Sequence, residues 1–225
     1  MKILAIECAT EYRSVALALD DVVRERSAPT RASAGEPLLT WAQDLLDEAG
    51  LGLSALDLIA FSHGPGAFTG VRMGASLAQG LAYAAGLPVA GVSTLRGLAW
   101  AALEQVPAAG SALVCQDARM NEVYWARFAR GERGVLAVDA ERLSVPAAVD
   151  LVASAEGELA TGSAFRVQES LLRRWREVGA GEPLLCTPRA RDIARLASLD
   201  GLAHAVSPER ALPVYLRHNV ATPAT

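Results

Sequence analysis

Aromatic side chains are scarce in this 225-residue chain, at 5%, and cysteine and histidine appear only three times each. Apolar residues nevertheless reach 52%, which excludes a disordered chain and predicts a core of aliphatic and small side chains. Cys8, Cys115 and Cys186 are odd in number and far apart. That excludes a disulfide framework and a paired-cysteine zinc site, and it predicts buried free thiols in a reducing, cytoplasmic setting. His63, His204 and His218 are scattered, and no Gly-x-Ser-x-Gly elbow accompanies them, so a serine-hydrolase arrangement lacks its parts. No apolar run reaches the roughly 20 residues of a membrane span. Ile3–Ile6, closed at once by Glu7, predicts a first strand and not a secretory segment. A basic excess is missing too: 21 basic against 25 acidic residues give a net charge of −4, which argues against unaided binding of nucleic acid.

The pattern along the chain predicts an α/β protein. Lys2–Cys8, Ser14–Leu19 and Val22–Arg26 read as a three-stranded meander with a polar turn at 10–13 and a tight turn at Asp20-Asp21. A helix starting at Glu36-Pro37 and stopping at Gly50 follows a loop over 29–34. Ser54–Asp57 resembles a capped helix start, Leu58–Phe61 a buried strand, and Val71–Ala85 a helix stopped by Gly86. Val89–Val92 is a strand, and Ser93-Thr94 caps a helix to about Glu104. The order then restarts: strands at 112–116, 123–129 and 135–138, helices at 146–154, 165–178 and 189–197, and short strands near 159–160 and 184–185. Two lobes that share an order predict a duplicated α/β unit, divided into residues 1–106 and 107–225. The segment from about 189 is free to return to the first lobe. The arginines cluster at 166, 173, 174 and 176 and again at 189, 191 and 195, a pattern that fits solvated helix faces or a contact with RNA or a partner.

The most informative segment is Gly64-Pro65-Gly66-Ala67-Phe68-Thr69-Gly70-Val71-Arg72, at a strand-to-helix junction. Its glycines permit a tight turn and expose amides at a helix start, so it suits an anion, the close approach of another backbone, or a plain connection. It is neither a P-loop nor a dinucleotide turn, because the Gly-Lys-Ser/Thr and G-x-G-x-x-G patterns are missing. In the following helix Gly70, Gly74, Ala78 and Ala82 fall four apart. A face this small suits close helix packing, either inside the chain or between subunits.

Five blocks appear in order along nearly the whole chain. They are Ile3–Thr10 with Ser14–Leu17, Gly64–Arg72, Leu87-Pro88-Val89 with Gly91–Leu95, Gln116–Arg119 with Glu122-Val123-Tyr124, and Pro213–Arg217. Together they resemble the TsaB (YeaZ) family, non-catalytic paralogues of the tRNA threonylcarbamoyltransferase TsaD. The resemblance implies a two-lobed actin/Hsp70/sugar-kinase-like fold, each lobe a mixed sheet that opens with a meander and carries flanking helices. It also implies a scaffold or regulatory subunit in formation of threonylcarbamoyladenosine. Such a subunit supports TsaD in transfer of threonylcarbamoyl from its adenylate to N6 of the adenosine 3′ of the anticodon. The implied partners are a TsaD-type transferase in a heterodimer and a TsaE-type ATPase. Reuse of the same surface predicts a homodimer for the chain alone, with tRNA reached only through the complex. An independent enzyme of the same superfamily (small-molecule kinase, acyltransferase or peptidase) is the alternative.

Close helix packing places the expected partner surface on the first-lobe helices that start near Pro37 and Val71, with the partner-interface motif at Gly64, Pro65, Gly66, Phe68, Thr69, Gly70, Arg72, Gly74 and Ala78. The catalytic relative carries a His-x-x-x-His metal motif, and Thr94 and Leu98 stand at the matching positions, so neither metal nor cofactor is expected. Remnants of a nucleotide site fall on Glu7, Thr10, Asp117, Arg119 and Gly162. The second-lobe turn is poor in glycine, and Glu7 replaces a shorter aspartate. No residue is expected to be catalytic.

Overall fold

In the computed structural model the described residues are 1–30, 38–132, 134–151, 157–179 and 181–217. β1 (Lys2–Glu7), β2 (Tyr12–Leu19) and β3 (Val22–Pro29) form an antiparallel meander. After α1 (Leu38–Glu48), β4 (Leu58–Gly64) joins β1 in parallel, and after α2 (Phe68–Ala85), β5 (Val89–Ser93) joins β4. The first sheet therefore runs β3-β2-β1-β4-β5. Gly86 closes α2 in the left-handed conformation, with φ 66°, a common helix stop. The Ser93 hydroxyl accepts the Arg96 N–H and starts α3 (Thr94–Gln105), satisfying one of the helix's free amides.

A second meander begins at β6 (Ser111–Arg119), β7 (Glu122–Gly131) and β8 (Gly134–Ala137), with β9 (Arg142–Ser144) also on β7. β10 (Glu158–Thr161) pairs with β6 in parallel. α4 (Ala164–Val167), α5 (Glu169–Glu177) and α6 (Ala190–Asp200) complete the α-helices among the described residues. The fold is thus the expected two-sheet α/β type, with a meander opening each sheet.

Strand alternation sends side chains to opposite faces, and each face has its own cover. Leu4, Ile6, Val15, Leu17 and Phe61 meet α1 and α2 through Leu45 and Ala78. Ile3, Ala5, Ala16 and Ala18 meet Ile193 and Leu196 of α6. α3 packs Leu95, Leu98 and Leu103 on Val114, Ala126 and Phe128 of the second sheet, whose other face carries Trp125 against Phe165 and Trp175. α3 and α6 are therefore the layer between the sheets. The Arg96 guanidinium joins them, donating to both Asp200 oxygens at 2.6 and 2.9 Å and to the Val135 carbonyl at 2.7 Å.

Several expectations need correction. Residues 12 and 13 belong to β2 and not to a turn, and β3 continues to Pro29, paired with Tyr12. Proline is tolerated there because β3 is an edge strand. The start expected at 36–37 lies outside the described residues. Asp57 does not cap a helix: its carboxylate accepts the Lys2 N–H at 2.7 Å, after a single turn of 3-10 helix at Leu53–Ala55. α2 starts three residues earlier than its apolar pattern indicates, at Phe68. A short 3-10 turn, Pro146–Ala148, replaces the first part of the helix expected over 146–154, whose last three residues fall outside the described ones. The helix expected over 165–178 divides at Gln168, where φ −107° and ψ 86° leave the helical region. Leu184 forms only an isolated bridge to Thr161. Cys8 and Cys115 are buried, but Cys186 is half-buried.

Candidate functional site

A cleft of about 1070 Å³ lies between the lobes, walled by the segment after β1, the start of α2, the β6–β7 hairpin, Ser163 and the chain near Tyr215. The first-lobe wall is made by backbone fitted to backbone. The Ala67 N–H donates to the Ala9 carbonyl at 2.8 Å. A Cβ at Gly66 would stand 2.4 Å from that carbonyl oxygen, and one at Gly70 would stand 2.0 Å from the Cys8 carbonyl. Gly64 has φ +107°, precedes a cis Pro65, and approaches the Val214 carbonyl. The glycines of this segment thus serve an approach within the chain itself.

That finding corrects part of the expected interface. Gly64, Pro65, Gly70, Gly74 and Ala78 are buried in their own chain. Gly74 faces Phe61 and Cys8, at contact distances for a Cβ of 3.9 and 4.0 Å. The small-residue face of α2 packs on the first sheet, so these positions are covered by their own chain. The opposite stripe of α2 is exposed, with Thr69, Arg72, Ser76 and Tyr83 on it, and Phe68 is 49% exposed. Arg72 lies 3.3 Å from the centre of the Phe68 ring and donates from Nε to the Tyr215 hydroxyl at 2.8 Å.

The nucleotide remnants are dispersed. Glu7 is fully buried and lies outside the cleft lining, its carboxylate turned to the Ala9 N–H at 3.0 and 3.2 Å. Burial, only partly offset by that amide, pushes its pKa up to about 8; at neutral pH the group is mostly protonated. It therefore offers no carboxylate to a ligand in the cleft. Gly162, with φ +111°, is used against β6, where a Cβ would meet the Cys115 carbonyl at 2.2 Å, and it does not line the cleft. Thr10, Asp117 and Arg119 do line it. Asp117 is engaged already, accepting the Arg119 N–H at 3.3 Å and pairing with its guanidinium at 3.4 Å. The Ser163 hydroxyl accepts the Asp117 N–H at 3.1 Å, and the Gln116 side-chain oxygen accepts the Ser163 N–H at 3.2 Å.

Thr94 and Leu98 are both wholly buried in α3, Leu98 within the core between the sheets. Burial lowers the pKa of His63, and Cys186 is raised by burial in spite of Arg189 nearby in sequence. Neither is poised as an ionised group at neutral pH.

Tyr215 and Arg217 were missed as site residues. Their block was visible in the sequence, but its contacts with α2 and the β6–β7 hairpin join positions over 90 residues apart, which no local spacing encodes.

Comparison with known proteins sets this architecture in context. A family model described as TsaD, tRNA N6-adenosine threonylcarbamoyltransferase, matches residues 28–172. The chain is 38% identical to the tRNA threonylcarbamoyladenosine biosynthesis protein TsaB of Escherichia coli (strain K12), over 98% of this chain and 96% of that protein. Identity is 33% to the protein of the same name from Haemophilus influenzae, over 98% and 95%. Among solved structures, YeaZ from Pseudomonas aeruginosa superposes with a TM-score of 0.82 at 34% identity, covering 96% of this chain and 99% of that one.

Proposed function

The chain belongs to the TsaB (YeaZ) family and acts in tRNA threonylcarbamoyladenosine biosynthesis, and on that premise we propose that it does so as a non-catalytic subunit. The observation that carries this reading is the way the remnant positions are occupied. Leu98 is packed in the core between the sheets, the Glu7 carboxyl is sealed beneath Ala9, and Asp117 pairs with Arg119 of its own hairpin. Of the remnant positions, Glu7 and Gly162 serve the packing of this fold and do not line the cleft.

The positive role we propose is to bind a TsaD-type transferase as a heterodimer, together with a TsaE-type ATPase, and to support transfer to N6 of the adenosine 3′ of the anticodon. Contact with tRNA then comes through the complex. The setting is the cytoplasm, and no described helix is long and apolar enough to cross a membrane. We take residues 1–106 as the partner-binding lobe. The docking face on it is the outward stripe of α2, where Thr69, Arg72, Ser76 and Tyr83 are open, joined by Leu39 of α1, which is 54% exposed. Used by a second copy, the same face gives the homodimer of the chain alone.

Reconstitution tests the role: modification by the transferase and the ATPase fails when this chain is omitted, and the chain alone turns over nothing. Turnover by the isolated chain would overturn the non-catalytic reading. Ser76→Arg tests the face. The side chain is exposed, so the variant folds normally, while a bulky charge in a close helix contact abolishes co-purification with the transferase. A folded Ser76→Arg protein that binds as the wild type does would remove α2 from the interface.

A further inference from the structure

The stretch from Ala205 to Arg217 leaves α6 and runs back along α2 as a strap. Val206 exchanges two backbone hydrogen bonds with Val89, each 2.8 Å. Further on, the Gln79 amide donates to the Ala211 carbonyl at 3.1 Å, and the Val214 N–H donates to the His63 carbonyl at 2.8 Å. The Arg72–Tyr215 bond is the next point of attachment. Every one of these anchors is on the first lobe. Arg217 then turns to the second lobe. Its guanidinium donates to the Ala118 carbonyl at 3.0 Å, the Met120 sulfur at 3.2 Å and the Glu122 carboxylate.

The place that Arg217 grips is unusual. Arg119, Met120 and Asn121 have φ of 62, 53 and 57°, three consecutive non-glycine residues in the left-handed region, a costly conformation that persists only where the surroundings hold it. Val214, Tyr215 and Arg217 all line the cleft, and no residue of α3 or α6 does. Across the same mouth, Arg166 meets Glu11 at 3.1 Å, but those side chains are 60% and 39% exposed and their attraction is screened by water and salt. Arg217 is only 17% exposed. The stronger tie across the cleft is therefore Arg217, at the end of a strap fixed to the opposite lobe.

We propose that residues 205–217 are a clasp that sets the width of the inter-lobe cleft, with Arg217 as its latch. When the latch is fastened, the β6–β7 hairpin is drawn against the first lobe. When Arg217 leaves Ala118 and Glu122, the second lobe swings on the α3–α6 layer while the strap stays on the first. An anion entering the cleft competes with Glu122 for the same guanidinium, so occupation of the cleft and release of the latch are linked.

The test measures distance between spin labels placed at Ser76→Cys on α2 and Arg173→Cys on α5, both exposed. The full chain carries Cys186→Ser and is diluted with unlabelled protein, so that only pairs within one molecule are read. The latched chain gives one narrow distribution. Arg217→Ala shifts it to longer distance and broadens it, Glu122→Gln shifts it part of the way, and the double variant moves no further than Arg217→Ala. Amide exchange at Met120–Val123 rises in step. An unchanged distribution in a folded Arg217→Ala protein overturns the clasp. Should Arg217→Ala fail to fold, an unchanged distribution in Glu122→Gln overturns it equally.

Discussion

The two lobes make the same contact and then part company. In the first, Gly70, after β4, is so close to the Cys8 carbonyl at the end of β1 that a Cβ would stand 2.0 Å away. In the second, Gly162, after β10, stands in the same relation to Cys115 of β6, at 2.2 Å. β4 is the parallel neighbour of β1, and β10 of β6, so the contact recurs at equivalent places in two meander-led sheets. The difference lies in what surrounds it. The first lobe continues into an 18-residue helix, the second into four residues of α4. At the residue before the cysteine, the first lobe buries Glu7 and the second buries Val114. The connection from the first strand to the next is a four-residue stretch, 8–11, in one lobe and a tight two-residue hairpin in the other. A shared backbone contact thus recurs in two lobes whose surrounding side chains and connections differ.

The sharpest way to break the shared feature is to add one methyl group to it. Gly70→Ala and Gly162→Ala each force a Cβ into a backbone oxygen that cannot rotate away. Each variant should lose at least about 3 kcal/mol, the upper range for overpacking, visible as a lowered urea midpoint. A loss of under about 1 kcal/mol in one of them would mean that lobe can open around its strand, and the equivalence would fail.

Glu7 and Val114 separate the lobes by an ionisable group. The pKa of Glu7 in the folded protein is raised to about 8 from 4.5, so the folded state favours the protonated form. Its contribution is complete below about pH 4.5 and is lost as pH rises through about 8, at a rate of up to about 1.4 kcal/mol per pH unit. Asp192, raised to about 6 by burial, acts in the same direction over a lower range. Taking the difference in unfolding free energy between wild type and Glu7→Gln isolates the Glu7 share. The variant should gain on the wild type steadily from pH 5 to 8. A difference that stays flat over that range would place an ionised carboxylate in the native core and defeat the reading.

What the sequence made legible was whatever is encoded locally. The two meanders, the Gly86 stop and the Ser93 cap depend on alternation, glycine and a hydroxyl at fixed offsets, and these lie side by side in the chain. The Gly64–Arg72 segment was visible as special, yet its purpose was not, because the atoms its glycines approach belong to Cys8, Ala9 and Val214. The small-residue face of α2 was equally ambiguous. Close packing on one's own sheet and close packing on another subunit require the same residues, and only burial against Phe61 separates them. Arg217 was furthest from view, since its partners at 118–122 lie almost half the chain away.

The smallest effect sharpens the remaining contrast, between a wall built with glycine and a hairpin built without it. Positive φ at both central residues is what a two-residue hairpin of this kind requires, and glycine or asparagine usually supplies it. Here Met120 stands first and Asn121 second. A left-handed side chain costs roughly 1–2 kcal/mol, against roughly 0.5–1 kcal/mol for the extra freedom that glycine loses on folding. Met120→Gly should therefore stabilise the protein by about 0.5–1 kcal/mol, measured as a small rise in the urea midpoint. The side chain is 75% exposed, so little packing is given up, and Arg217 keeps Ala118 and Glu122. A fall in stability would mean that the Met120 sulfur under the guanidinium contributes more than the backbone strain costs. The grip on this hairpin would then rest on the methionine as much as on the ion pair.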